Sequence, residues 1–248
     1  MSDNNFSFKE VDVEGHETLD AISDADNFNE WMYDTISPYC SGKILEIGSG
    51  IGNISRYFLE NKRNITLSDI RDEYCNKLRA NFNEHNPEVV NVNIADADFD
   101  TKYSHLIGQF DTVFSLNVVE HIEDDLLAIK NIKKLLRKGG IIITLVPAWN
   151  TLYNEFDKSL EHYRRYNASS LNTLLKNEYE IVHTQYFNLM GIFGWILTGS
   201  IMKKKTIPKG QMGLYNKLVP IFKIIDKIVF HKIGLSVISI GRKSSSEN

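Results

Sequence analysis

Residues 44–53 read Ile44-Leu45-Glu46-Ile47-Gly48-Ser49-Gly50-Ile51-Gly52-Asn53. An apolar strand-like run, Lys43–Ile47, leads into three glycines at alternate positions, and Ile51–Glu60 reads as a helix. Glycine is needed where the backbone turns tightly at positive φ and where a ligand must touch main chain. The first N–H groups of the following helix have no intrahelical acceptor and face the loop. Strand, glycine turn and helix in this order form nucleotide-site architecture at the carboxyl end of a first strand. The dinucleotide fingerprint G-x-G-x-x-G is not met, because Asn53 stands where its last glycine would fall. The G-K-[ST] ending of a phosphate-binding P-loop is also missing.

Outward from this loop the alternation continues. Asn64–Ile70, Val89–Ile94, Phe110–Leu116 and Gly140–Val146 read as strands. Tyr74, Leu78 and Phe82 at i, i+4, i+8 mark a helix, and Asp125–Arg137 reads as another, stopped by Gly139-Gly140. Gly140–Val146 is almost wholly apolar, as a strand buried on both faces should be. Strands alternating with helices predict an α/β fold with a parallel sheet and right-handed crossovers. Glu180–Tyr186 and Leu235–Arg242 read as two late strands. The stretch between them breaks the rhythm.

The composition is that of an ordinary globular protein: 248 residues, 42% hydrophobic and 24% charged. Collagen-like, low-complexity and disordered classes are excluded, and the length suits one domain over residues 1–248. Cys40 and Cys75 form neither a disulfide framework nor a metal-ligand spacing, so the expectation is a reducing cytoplasm and no metal. No secretory signal is read in the first ten residues. The net charge of -4 hides an asymmetry: residues 1–200 carry 18 basic and 30 acidic side chains, residues 201–248 ten basic and two acidic. A basic end on an acidic body points to an anionic partner surface, membrane or nucleic acid.

Glu46 stands two residues before the first glycine. The resulting E-x-G-x-G-x-G string resembles motif I of the class I S-adenosylmethionine-dependent methyltransferases. Asp69, closing the second strand, can accept both ribose hydroxyls of such a cofactor, or can simply cap the next helix. Ile70 would lie against the adenine face. Asp96, beside Ala97, can accept from the adenine amino group, or is one loop acid among Asp98 and Asp100. The run Phe110-Asp111-Thr112-Val113-Phe114-Ser115-Leu116-Asn117-Val118-Val119-Glu120-His121-Ile122 is similar to the matching segment of small-molecule methyltransferases of the ubiquinone-biosynthesis type. With Gly139-Gly140 the resemblance spans roughly residues 40–150. It implies a Rossmann-like seven-stranded, mostly parallel sheet with an antiparallel last strand and helices on both faces. It also implies S-adenosyl-L-methionine as cofactor. The residues expected to hold it are Glu46, Gly48, Ser49, Gly50, Gly52, Asn53, Asp69, Ile70, Asp96, Ala97, Asn117 and Val118.

Such methyl transfer is an in-line displacement on a sulfonium, so the protein mainly positions the acceptor and excludes water. A hydroxyl acceptor also needs a base. His121, just past the fourth strand, is one candidate, unless it only braces a loop. His162 is the other, in the segment Trp149–Tyr166 after the fifth strand. There Arg164 or Arg165 can fork onto an acceptor carboxylate or phosphate, or can pair with Asp157 and Glu161 to hold the loop. Trp149, Tyr153 and Tyr166 complete the expected acceptor pocket. The string His162-Tyr163-Arg164-Arg165-Tyr166 resembles a subset of these enzymes met beside glycan and lipid-glycan pathways. Residues 1–40 are expected to form a helical lid, with a helix from Asn27 to about Ile36 carrying Trp31 and Tyr33.

Asn188–Met202 has no charge but is too short to span a bilayer. It reads as a hairpin-like or buried segment lining the acceptor site, with a re-entrant membrane contact as the alternative. Lys203–Lys205 follow. Gly213–Ile233 reads as a helix interrupted near Pro220, with Ile221, Phe222, Ile224, Ile225, Ile228 and Val229 on a wide apolar face and Lys223 and Lys227 on another. Residues 188–233 thus form an insertion expected to shape an apolar acceptor pocket and also to rest on anionic lipid, the alternative being a helix packed on the sheet with its lysines solvated. The sequence supports methylation of a small or lipid- or glycan-linked acceptor, at oxygen or nitrogen. The alternative is a nucleic-acid methyltransferase using the basic end. Against it, the basic residues are interleaved with isoleucine and valine rather than stacking aromatics. A non-catalytic scaffold and a NAD oxidoreductase fit the glycine loop less well.

Overall fold

The computed structural model describes residues 13–202 and 209–244. Residues 1–12 of the expected lid, and Lys203–Lys205, lie outside the described residues. Two helices, α1 (Val13–Ser23) and α2 (Asp26–Ile36), precede the first strand, β1 (Ile44–Ile47). There follow α3 (Ser55–Glu60), β2 (Ile65–Asp69), α4 (Asp72–Asn81), β3 (Glu88–Asn91), α5 (Phe99–Lys102), β4 (Phe110–Leu116), α6 (Asp125–Leu135) and β5 (Leu136–Pro147). The last third holds α7 (Glu155–Ser159), α8 (Ala168–Leu175), β6 (Glu180–Phe187), α9 (Leu189–Trp195), α10 (Lys209–Ile228) and β7 (Ser236–Arg242).

The strands form one seven-stranded sheet in the order β3-β2-β1-β4-β5-β7-β6. β1 pairs parallel with β2 and β4, β2 with β3, and β4 with β5; β7 runs antiparallel to both β5 and β6. The expected mostly parallel sheet with one reversed strand is what the chain builds. The order reverses between β1 and β4, and ligands in open α/β sheets bind at that crevice. β1 and β2 are buried along their whole length, because helices cover both faces. One apolar cluster packs α6 and α8 against one face around Val113, Ile142 and Leu171. The other packs α2, α3 and α10 around Phe58, Phe114 and Phe222.

Three local readings are corrected. α6 ends at Leu135 rather than Arg137, and β5 begins at Leu136 with a register shift opposite Phe110 and Thr112. Gly139, at φ 74, absorbs that shift. Asn188–Met202 is not a hairpin but α9 followed by a π-helical turn, Ile196–Ile201. Asn188 starts it from φ 69, its side chain accepting the Gly191 N–H at 2.8 Å, while Asp226 accepts the Asn188 and Leu189 N–H groups. The helix at Pro220 is not interrupted: α10 runs 20 residues through it. Proline removes one helix bond, but Met212, Val219 and Phe222 on either side are buried and anchor the helix.

Candidate active site

The glycine loop bridges β1 and α3 at the reversal point. Gly48, Gly50 and Gly52 adopt φ of 72, 56 and 91, a region that disfavours any side chain. Space demands glycine as well. A Cβ at Gly48 would sit 2.5 Å from Val118 Cγ2, and one at Gly52 would sit 2.3 Å from the Phe82 ring. Val118 follows β4, so the close approach at Gly48 places the β4 end against the loop. Next to it Asn117 is exposed and holds φ 55, where its short polar side chain is tolerated.

The two carboxylates of the loop are buried and differ in role. Glu46, in β1, accepts the Ser55 hydroxyl at the start of α3. Burial lifts its pKa from 4.5 to about 7, against the Ser55 and Ser49 hydroxyls, which pull it down. Ser49 ties the loop to β2, donating its N–H to the Ser68 carbonyl at 2.7 Å. Asp69 ends β2. Its Oδ2 accepts the Gly50 N–H at 3.0 Å and its Oδ1 the Arg71 N–H at 3.0 Å. Burial raises its pKa, and those amide bonds only partly offset the shift. Asp69 therefore faces the loop itself as well as leading into α4. Half-buried Ile70 follows it. Asp96, also buried, accepts the Asp98 N–H at 2.9 Å and the Lys102 ammonium at 2.6 Å, while neighbouring Ala97 is exposed.

α1 lies over this loop. Leu19 is the atom group a Cβ at Gly50 would meet, and the Asn53 side-chain amide donates to the Leu19 carbonyl at 3.0 Å. His16 reaches toward Tyr74, with ring centroids 6.1 Å apart. Trp31 of α2 packs instead against Phe187 at 4.4 Å, and Tyr33 stacks on Tyr57. The covering helix is α1, whose pattern the sequence reading did not single out; α2 belongs to the core.

The segment after β5 folds back onto the β4 end. Ala148 bridges to Tyr166, and the Tyr163 N–H bonds the Glu120 carbonyl at 2.8 Å. At its centre sits Asp157, fully buried and part of a capping box with Asn154. Its Oδ1 is 2.8 Å from His162 Nδ1 and accepts Arg165 Nε at 2.8 Å. Burial alone would raise its pKa, but His162 and the Arg165 charge outweigh that and hold it low. Arg165 is buried, donates to the Ala148 carbonyl at 2.9 Å and lies over the Trp195 ring at 4.4 Å. Its second guanidinium nitrogen, Nη2, is buried without a partner. Arg164 turns the other way, to Asp125 at 2.8 Å and the Glu123 carbonyl. Asp125 is thus a partner of Arg164 that the sequence did not suggest, and it also accepts the Tyr166 hydroxyl at 2.8 Å. Trp149, at φ 65, donates to the Gly234 carbonyl and stacks on Tyr186 at 4.7 Å. Tyr153 is partly exposed and donates to the His162 carbonyl at 2.7 Å.

His121 and His162 meet edge to face, with centroids 4.5 Å apart. Burial, and then the His162 charge, push the His121 pKa down to about 3, so its ring stays neutral and is a poor proton acceptor. His162 differs in its surroundings, because the Asp157 carboxylate sits 2.8 Å from its Nδ1. Beside them is Glu120, which the sequence reading passed over. It is completely buried with neither carboxylate oxygen hydrogen-bonded, and burial raises its pKa to about 8. Ligand atoms of Glu120, His121 and His162 lie within 4.8 Å of one another, a spacing that also suits a metal ion. The adjacent pair Glu120-His121 was visible in the sequence; the third member comes from 41 positions further on and only folding shows it.

Residues 45–142 match the model of a family described as a methyltransferase domain. A highly reducing polyketide synthase of Aspergillus carbonarius is 25% identical over 122 residues, 42% of this chain, and the match spans 5% of the length of that relative. Among solved structures, a methyltransferase bound to a methyltransferase activator of Haloferax volcanii superposes with TM-score 0.62 at 12% identity, covering 96% of this chain and 100% of that one. Phosphoethanolamine N-methyltransferase 2 of Haemonchus contortus, in complex with S-adenosyl-L-methionine, gives 0.61 at 14%, covering 94% and 57%. A sarcosine dimethylglycine methyltransferase from Galdieria sulphuraria gives 0.57 at 14%, covering 88% and 86%. Its strand order and reversed β7 give the chain the fold of these methyltransferase structures, and residues 45–142 match a methyltransferase-domain model.

Proposed function

We propose that the protein transfers a methyl group from S-adenosyl-L-methionine to oxygen or nitrogen of a small or lipid- or glycan-linked acceptor. The observation that supports it most is the Asp69–Gly50 bond, which holds a buried carboxylate over the mouth of the glycine loop. A carboxylate oxygen accepts more than one hydrogen bond, so Asp69 has capacity left for ribose hydroxyls. The residues fit the cofactor: three glycines whose Cβ positions are already filled by neighbours, Glu46 behind them, and α1 above. The cofactor would supply an activated methyl on a good leaving group.

The chain's own part is then to exclude water and handle one proton. α1 covers the loop, and the Trp149–Tyr166 segment closes the β4 side. His162 takes the role of base for a hydroxyl acceptor. Asp157 fixes the ring through Nδ1 and leaves Nε2 to accept the proton, the arrangement that orients a histidine base elsewhere. His121, held neutral, packs against it. Arg165 keeps Asp157 ionised, and Arg164 stays an acceptor contact at the rim.

Calorimetric titration with S-adenosyl-L-methionine and with NAD tests the cofactor. A saturable isotherm for the former and none for NAD is expected; NAD alone binding would overturn the reading. Asp69→Ala should weaken the cofactor at least tenfold, on the scale of about 1.5–3 kcal/mol for hydrogen bonds to a charged group. Unchanged affinity would remove Asp69 from the site.

A further inference from the structure

α10 has two apolar faces, and only one of them is used inside the protein. Met212, Val219 and Phe222 are buried against the sheet side. Leu214, Leu218, Ile221, Ile224 and Ile228 stand 36% to 67% exposed. Their spacing, i, i+4, i+7, i+10, i+14, places them on one stripe of the helix. Burying one face of a helix needs a single apolar stripe; the second stripe is exposed and packs into neither core cluster of the described residues.

The exposed charges that α10 itself carries are one-sided. Lys217, Lys227 and Lys232 are exposed, and Lys223 is half-buried beside Asp34. The one acidic residue of α10, Asp226, is wholly buried and spent on the Asn188 and Leu189 amides. So the solvent side of this helix presents isoleucine, leucine and lysine, with no carboxylate of its own. The same insertion adds Phe193, Leu197 and Ile201 at i, i+4, i+8, exposed 61%, 51% and 69%, and Phe230 at 78%. The Thr198 hydroxyl donates to the Gln211 side chain at 2.9 Å, joining that turn to the start of α10.

We infer that the outward face of α10 is a docking surface for an anionic lipid bilayer. The apolar stripe enters the acyl boundary and the lysines meet the headgroups. At 1.5 Å per residue the helix is about 30 Å long, and it lies along the surface. Among the described residues no helix is long and apolar enough to cross a membrane. The charge complementarity favours lipid over a second copy of this chain, whose body is acidic but whose matching face would be equally basic. The inference goes beyond methyl transfer and stands without it, since its test needs no cofactor.

The test is co-sedimentation of the full chain with phosphatidylcholine vesicles, with and without one-third phosphatidylglycerol. Recovery with anionic vesicles is expected to exceed that with neutral ones at least tenfold and to fall with salt. Ile221→Glu/Ile224→Glu, at exposed positions, should abolish it while circular dichroism and thermal midpoint stay as in the wild type. Lys217→Glu/Lys227→Glu should remove the preference for anionic lipid. Val182→Glu, exposed on β6, is the control and should change nothing. Equal recovery on both vesicles, or retention by the isoleucine variant, overturns the inference. So does a wild-type dimer in gel filtration that the isoleucine variant converts to monomer, which assigns the stripe to self-association.

Discussion

Replacing Glu120 by glutamine isolates one buried proton. The side chain is wholly buried, its oxygens lack partners, and burial moves its pKa from 4.5 to about 8 against the opposing pull of its own amide and of Arg165. The folded protein therefore keeps a proton at neutral pH that the unfolded chain has released. For a pKa raised on folding, the stabilisation is complete below the unfolded value and is lost as pH rises through the folded one. Between about pH 5 and pH 7 only the unfolded form gives up its proton. At about 1.4 kcal/mol per unit this costs roughly 2–3 kcal/mol of stability. Glu120→Gln has the same shape and nothing to titrate. Urea unfolding of both proteins at the two pH values should show the wild type losing that amount relative to the variant. Glu46 titrates in the same window but is present in both, so the difference removes it. Parallel stability curves for the two proteins would show that Glu120 is not the buried acid described.

Gly48→Ala should destabilise by about 1–3 kcal/mol, from positive φ and contact with Val118, and thermal melting of Gly48→Ala/Val118→Ala should recover part of the loss. Asp157→Asn leaves the Arg165 charge buried without its partner, for a loss of roughly 3–5 kcal/mol by denaturant unfolding; less than 1 kcal/mol would show the network to be loosely held. His162→Gln should lower turnover about 10²–10⁴-fold with a hydroxyl acceptor and leave cofactor affinity unchanged by calorimetry. Chelation of divalent ions should leave turnover unchanged if His162 acts as base; a loss restored by added divalent ion would make Glu120, His121 and His162 a metal site instead.

The glycine loop, the alternating strands and the acids closing β1 and β2 were legible in the sequence because each depends on local rules: glycine at positive φ, apolar strands buried on both faces, carboxylates at strand ends. Boundaries slipped by a few residues where a single backbone position decided them, as at Gly139. The Trp149–Tyr166 segment was legible as a charged and aromatic cluster, but not as a wiring plan. Its arginines face opposite ways, Arg165 inward to Asp157 and Arg164 outward to Asp125, and a residue string carries no such direction.

The sequence by itself determined the sheet and the loop at its centre, since these repeat in periodicity and spacing; the class of chemistry is what the resemblance of that loop and of the β4 run implies. Only the tertiary structure decided which helix covers the loop, that His121 is held neutral, and which side of α10 meets solvent. Those depend on burial, and burial is set by what the rest of the chain packs against each group. Ile221 and Phe222 look alike in a list of apolar residues; one is 55% exposed and the other 7%, because β7 and β6 lie on one side of the helix only.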